Sequence, residues 1–315
     1  MAYELLKRLV GFLATLLAAV LVVFLVLEVL PGDPAAVMLG PDATPEMIAS
    51  LRAELGLDQP AIWRFLHWLG SMATGDFGIS YSYRVPVSGL ILDRLAVTLP
   101  LSLMAIVLTT VMAMLIGVYA AANSNRLSGH LAMGLTQIGI AIPSFWLGLV
   151  LVLIFSVGLR WFPSNGFPGW RNGLWPAIHA LILPAVALAV VQAAVLARVT
   201  RASLLEVLRD DFTRTARSKG LTRRQMLWKH ALQNALIPIA TMMGLQFAQL
   251  MAGTIVIESV FALPGLGNLI FQAVGQRDLV VIRSVVVVLA AMVIAINFIV
   301  DIAYVLIDPR LRVQA

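Results

Sequence analysis

The side chains that could do chemistry in this 315-residue chain are few and dispersed. It has no cysteine, which removes disulfides and thiolate metal ligands. His67, His130, His179 and His230 are scattered, and no Ser/His/Asp arrangement, carboxylate pair or metal-spaced cluster accompanies them. A G-x-x-x-x-G-K-[ST] phosphate loop is absent as well, so the chain cannot hydrolyse ATP by that route. What remains is binding chemistry. The segment Arg209–His230 is polar and dense in Arg and Lys, although the chain is only 12% charged. Such a segment offers charge and hydrogen-bond donors to a soluble partner. A second set is buried in apolar sequence: Gln137, Gln192, Gln246, Gln249, Asn297 and Asp301. Each is costly in lipid and should face a bundle interior or a cavity. Asp301, about two turns from the end of its apolar run, reads as a structural partner for a nearby Arg.

The elements that must hold these groups are membrane helices. Sixty per cent of the residues are hydrophobic. Six runs reach the ~20 residues that cross a ~30 Å hydrocarbon core: Leu9–Leu30, Leu99–Ala122, Leu131–Val157, Ala180–Val199, Ala235–Ile257 and Ser284–Ile307. A set of buried core helices would not need so many, and an outer-membrane barrel would need short alternating segments. The first run follows Lys7 and Arg8 as a signal peptide would, but it is longer than a signal h-region and no A-x-A site follows; a retained anchor fits better. Pro143 in the third run and Pro184 in the fourth break the backbone ladder. Kinked helices suit a pathway that opens and closes, and equally a bundle that needs bent packing.

Orientation follows from charge. With six spans and both termini on one side, that side holds fourteen of the 22 Lys and Arg residues and the other side holds eight. The basic side is expected to be cytoplasmic, so the net charge of +6 signals topology, not nucleic-acid binding. This divides the chain into a first span (1–30), an outer segment (31–98), a five-helix core (99–307) and a short tail (308–315). In the outer segment, Thr44 before Pro45 reads as an N-cap with Pro at N1 and Gly56 as the stop. A second helix is expected from Pro60 to about Ala73, ended by Gly75, with Ile62, Phe65, Leu66 and Leu69 on its apolar face. Trp63 and Trp68 could dock a partner, although interfacial anchoring is the simpler reading.

The polar segment carries its own start and stop signals. Asp210 and Asp211 suit a helix N-terminus, Arg217 and Lys219 a C-terminus, and Gly220 the stop. A second helix opens with Thr222 as N-cap, Gln225 at N3, and Leu221 and Met226 at staple positions. Two short capped helices would meet at a glycine hinge. Ala216, small and central, would let the first sit deep in a groove of another protein.

These residues resemble the "EAA" loop of ABC importer permeases. Arg214, Thr215 and Ala216 occupy the three motif positions and Gly220 the following glycine. The general pattern continues I-x-L-P; here His230-Ala-Leu232-Gln233 stands, with Pro238 further on, which resembles the peptide branch. Leu30-Pro-Gly-Asp-Pro34, Gly75-Asp-Phe-Gly78, Pro143-Ser-Phe-Trp-Leu-Gly148, Phe261-Ala-Leu-Pro-Gly-Leu-Gly267 and Asp308-Pro-Arg310 are similar to family landmarks in the same order.

The resemblance implies an all-α polytopic protein of the type I importer permease fold, with six transmembrane helices and a small extracytoplasmic helical insertion. It implies the first permease subunit of a peptide-class importer in a bacterial inner membrane, paired with a second permease, two cytoplasmic ATPases and an extracytoplasmic solute-binding protein. ATP and Mg would belong to the ATPases, with no cofactor in this chain. Asp211, Thr213, Arg214, Thr215, Ala216, Arg217, Lys219 and Gly220, within a loop at 200–234, would couple to the ATPases. Pro143, Ser144, Gln192, Gln246 and Gln249, with the turn residues Pro264, Gly265 and Gly267, are pathway and gating candidates. An ion-gradient-driven secondary transporter is the rival reading. Such folds show inverted repeats and mid-depth charge pairs, neither of which is evident here. A membrane enzyme or scaffold lacks even that support.

Overall fold

A computed structural model describes residues 2–29, 33–40, 42–54, 56–209, 226 and 231–307. Among the described residues the regular structure is helical, apart from one isolated bridge between Ile79 and Pro86. Five helices are long and apolar enough to cross a membrane, or six if one sharply bent pair is counted as a span. The chain forms two compact units, one of residues 2–97 and 265–295 and one of residues 98–264 and 296–315.

In the first unit, α1 (Ala2–Val29) is followed by three short helices, α2 (Pro34–Leu39), α3 (Pro45–Glu54) and α4 (Ala61–Ala73). Their boundaries follow the punctuation in the sequence. Asp33 caps α2, its Oδ1 accepting from the Ala35 amide at 3.0 Å with Pro34 at N1. Thr44 Oγ1 accepts from the Met47 amide at 3.4 Å, and Gly56 and Gly75 have φ of +65° and +82° after α3 and α4. The buried face of α4 keeps Phe65 and Leu69 of the four residues expected there and adds Trp68. Phe65 and Trp68 are buried against Val20, Phe24 and Val287, while Ile62 and Leu66 point outward. Trp68 is therefore a packing residue; Trp63, 62% exposed, remains free to anchor at an interface.

The rest of this unit is tied by one carboxylate. Asp278 precedes α11 (Leu279–Ile307) and is fully buried. Its Oδ1 accepts from the Val281 amide at 3.2 Å, as an N-cap does, and its Oδ2 accepts from Ser80 Oγ at 2.5 Å and the Ser82 amide at 3.0 Å. Nearby, Val87 and Ile91 at the start of α5 (Val87–Ala122) pack with Leu266 and Leu269 of α10 (Leu266–Gln276) and Val281 of α11.

In the second unit α8 (Leu174–Val207) is the central element, and its buried face is mostly small: Ala185, Ala187, Ala189, Ala193, Ala194 and Ala197. Each surrounding helix brings a glycine to it. A Cβ on Gly117 of α5 would lie 2.6 Å from Thr200 Cβ and 2.8 Å from the Ala197 carbonyl oxygen. On Gly139 of α6 (Leu127–Ala141) it would lie 3.2 Å from Ala194 Cβ, and on Gly253 of α9 (Leu232–Val260) 3.0 Å from Leu188 Cδ2. Gly148 of α7 (Ser144–Leu151) takes the same part, facing Ala187. Lipid tails are as apolar as leucine, so membrane helices associate through close packing of this kind.

Replacing Gly117 by Val drives a branched side chain into backbone and is expected to destabilise the detergent-solubilised protein by about 1–3 kcal/mol. Thermal unfolding checks this against Gly11→Val, whose added Cβ meets nothing within 4 Å.

Candidate functional site

The expected third span is not continuous. Its first half is α6, and its second is α7 running into a π-helical turn at Val152–Gly158; the two halves meet at 99°. Sequence alone accounts for the break. Pro143 has no amide proton, and its ring pushes Ile142 out of the helical region, where φ is −88° and ψ is 123°. Each half is 15 residues, about 22 Å by helix rise and too short to cross a bilayer alone. Pro143 is exposed at the corner and Ser144, half-buried, begins α7.

This corner meets another distant segment. A Cβ on Gly148 would lie 3.1 Å from Phe261 Cε2, and Phe261 is buried where α9 ends. The turn after α9 is tight. Ala262 has φ +49°, the Leu263 amide donates to the Glu258 carbonyl at 2.8 Å, and the Gly166 amide donates to the Phe261 carbonyl at 2.8 Å. So the motifs Pro143–Gly148 and Phe261–Pro264 are neighbours in the fold, although more than a hundred residues separate them in sequence. Pro264 is half-buried. In the other unit, Gly265 and Gly267 are buried at the start of α10, with Gly265 at its N-cap.

Of the glutamines, two come together. Gln246 is fully buried on α9 and its Nε2 donates to the Gln192 carbonyl oxygen of α8 at 2.8 Å. Its Oε1 has no hydrogen-bond partner among the described residues. Gln192 itself is half-buried, and Gln249 is exposed. Asn297 packs beside Gly244 of α9, its Oδ1 3.4 Å from where a Cβ would stand, whereas Gln137 is exposed. The coupling residues Asp211, Thr213, Arg214, Thr215, Ala216, Arg217, Lys219 and Gly220 lie outside the described residues, as does the Asp301 side chain.

Like Asp278, a further polar group escaped the sequence reading. Glu258, one residue past the expected end of its span, is fully buried and its Oε1 accepts from Thr98 Oγ1 at 2.6 Å. An acidic residue closing an apolar run was the available signal.

The outward helix faces differ in kind. Along α5, Leu103, Val107, Val111 and Leu115 recur every four residues and are all exposed and apolar, as a lipid-facing surface should be. Along α9, Leu245 and Val256 share the exposed face with Thr241 and Gln249. A face carrying polar side chains at membrane depth belongs against protein or a water-filled cavity.

Replacing Glu258 by Leu removes the bond from the Thr98 hydroxyl and is expected to cost about 1–3 kcal/mol. Glu258→Gln keeps an acceptor oxygen and is expected to cost less, a ranking that thermal unfolding of the solubilised permease reads directly.

Comparison with known proteins gives the same picture along the whole chain. The model described as "Binding-protein-dependent transport system inner membrane component" matches residues 113–313, and its N-terminal counterpart matches residues 1–102. A probable peptide ABC transporter permease protein of Sinorhizobium fredii is 40% identical over 312 residues, covering 99% of this chain and 100% of the relative. The glutathione transport system permease protein of Salmonella typhimurium is 43% identical over 307 residues, with 98% of each chain covered. Among solved structures, inward-facing MetNI methionine ABC transporter matches with a TM-score of 0.58, covering 70% of this chain and 96% of that one at 20% identity, which is a likeness of fold.

Proposed function

The chain belongs to the family of binding-protein-dependent transport system inner membrane components, and we propose from this that it forms half of the pathway by which peptides or glutathione-like solutes enter the cell. It is an inner-membrane, multi-pass permease of the ABC importer class. The ion-gradient-driven reading is set aside by that membership. The relatives named for peptide and glutathione transport match over almost their full length, which supports a substrate with a peptide backbone.

The observation that carries the pathway assignment is the outward face of α9. Thr241 and Gln249 lie there among apolar neighbours, and Gln246 lies on the inward side of the same helix. This face would meet the second permease across the pathway. Amide side chains suit the task, because they can donate to and accept from a peptide's own amides without holding a charge in a low-dielectric site. The bent pair α6–α7 would count as the sixth span, with both termini cytoplasmic and the segment 31–98 outside.

In this arrangement the 31–98 segment, with the turn around Pro264–Gly267, receives the solute-binding protein and gates the entrance. The loop around Thr213–Lys219 docks its short helix, with Ala216 at the contact, into a cytoplasmic ATPase. Two ATPases bind the ATP and Mg, and their closure drives the permease pair from inward to outward facing. This chain does no bond chemistry.

Two outcomes test the reading in proteoliposomes carrying the full complex and its binding protein. Gln249→Trp is expected to abolish ATP-driven uptake of labelled peptide while the assembled complex still hydrolyses ATP. Ala216→Trp is expected to lower uptake and coupled ATP hydrolysis together by about tenfold, as loss of a contact worth roughly 1.4 kcal/mol would. Unchanged uptake in both variants would remove the pathway and coupling assignments.

A further inference from the structure

The unit of residues 2–97 and 265–295 contains a cavity of about 430 Å³, within the range of small-molecule sites. Arg283, from the first turns of α11, lines it and stacks over Trp68, its Cζ 5.4 Å from the ring centroid. No carboxylate among the described residues lies within ion-pair distance of Arg283; the neighbouring Arg64 pairs with Glu28. Arg283 Nε, Arg64 Nε and the indole Nε1 of Trp68 are buried donors without acceptors. A buried donor left unpaired costs about 1–3 kcal/mol; these three lie behind the cavity wall, so what the cavity offers an anionic group is the charge of Arg283. Burial pushes the Tyr81 phenol pKa up, so this lining residue stays neutral.

A second, almost wholly apolar groove of about 310 Å³ adjoins the first at Phe77, which lines both. It runs along Leu13, Leu17 and Val20 of α1 and Val287, Val288 and Ala291 of α11. Along both helices the order is the same. Glu28 is about 12 Å above Val20, and Arg283 about 12 Å above Ala291, by helix rise. Arg283 stands about 6 Å inside the apolar window that opens at Leu279, nearer the end of the span than its centre, where a long cationic side chain reaches toward the interface.

We infer that the cavity and groove together hold one phospholipid, its phosphate on Arg283 and its acyl chain along α1 and α11. The two exposed rim carboxylates, Glu54 and Asp76, favour a headgroup with a primary ammonium, an ethanolamine phospholipid, over a glycerol one. With the orientation proposed above, this lipid would belong to the outer leaflet; the binding itself does not depend on that orientation.

The test is native mass spectrometry of the intact, delipidated transporter complex titrated with ethanolamine, glycerol or choline phospholipid, or with soluble phosphoethanolamine or inorganic phosphate. One ethanolamine phospholipid per permease is expected, with retention reduced about tenfold in Arg283→Gln, as for loss of a charge-assisted contact. Ala291→Phe, which fills the groove and leaves the cations intact, should reduce it similarly, and Glu54→Gln should narrow the preference over glycerol lipid. Co-purification of the ATPase subunits checks that each variant is assembled. Undiminished lipid retention in Arg283→Gln or Ala291→Phe overturns the proposal. So does equal binding of the soluble phosphates, which marks a free-anion site, or protection of the cavity by the binding protein alone. Because binding is read without transport, its failure is distinct from failure of the permease reading.

Discussion

Close approach to α8 is the constraint on which the larger unit rests. Helices in lipid gain little from merely hiding apolar surface, so their association depends on dispersion at short range and on matched shapes. An alanine face on α8, met by glycines from α5, α6, α7 and α9, lets four neighbours come close, α5 near enough for a Cβ to collide with the α8 backbone. The arrangement also fixes where polarity can be hidden. Gln246 reaches a main-chain carbonyl of α8 because the helices are close, and that bond spans two elements through a single side chain. Only two such rigid-body neighbours need to slide for the bond to break.

The second organising event is the proline corner. It removes a transmembrane helix and replaces it with two half-length pieces, and the motif that causes it packs against the turn ending α9. Backbone freed by the corner must find partners within protein, since lipid offers none. That requirement binds the corner to its surroundings more tightly than an unbroken span would be bound.

How much of this was readable in advance depends on the range of the interaction involved. Local signals transferred well: Thr44 and Pro45 start a helix, and Gly56 and Gly75 follow the ends of two. Pro143 announced a break, but only the backbone geometry gives its size. The face of α4 was placed only in part, Phe65 and Leu69 rightly and Ile62 and Leu66 not, because helical spacing admits two neighbouring stripes and contact with Phe24 selects the one through Phe65 and Trp68. Glu258 and Asp278 were invisible for a different reason: their partners, Thr98 and Ser80, are far away in sequence. A polar residue beside an apolar run looks like a boundary until its distant acceptor or donor is known.

Asp278 also has a consequence in time. Ser80 leaves the ribosome 198 residues before the carboxylate that will hold it. At about 5–20 residues per second of synthesis, that interval is roughly 10–40 s. Throughout it the Ile79–Pro86 hairpin must wait without its anchor while the intervening helices enter the bilayer. The unit of residues 2–97 and 265–295 therefore closes among the last parts of the nascent chain to do so, and its assembly is post-insertional.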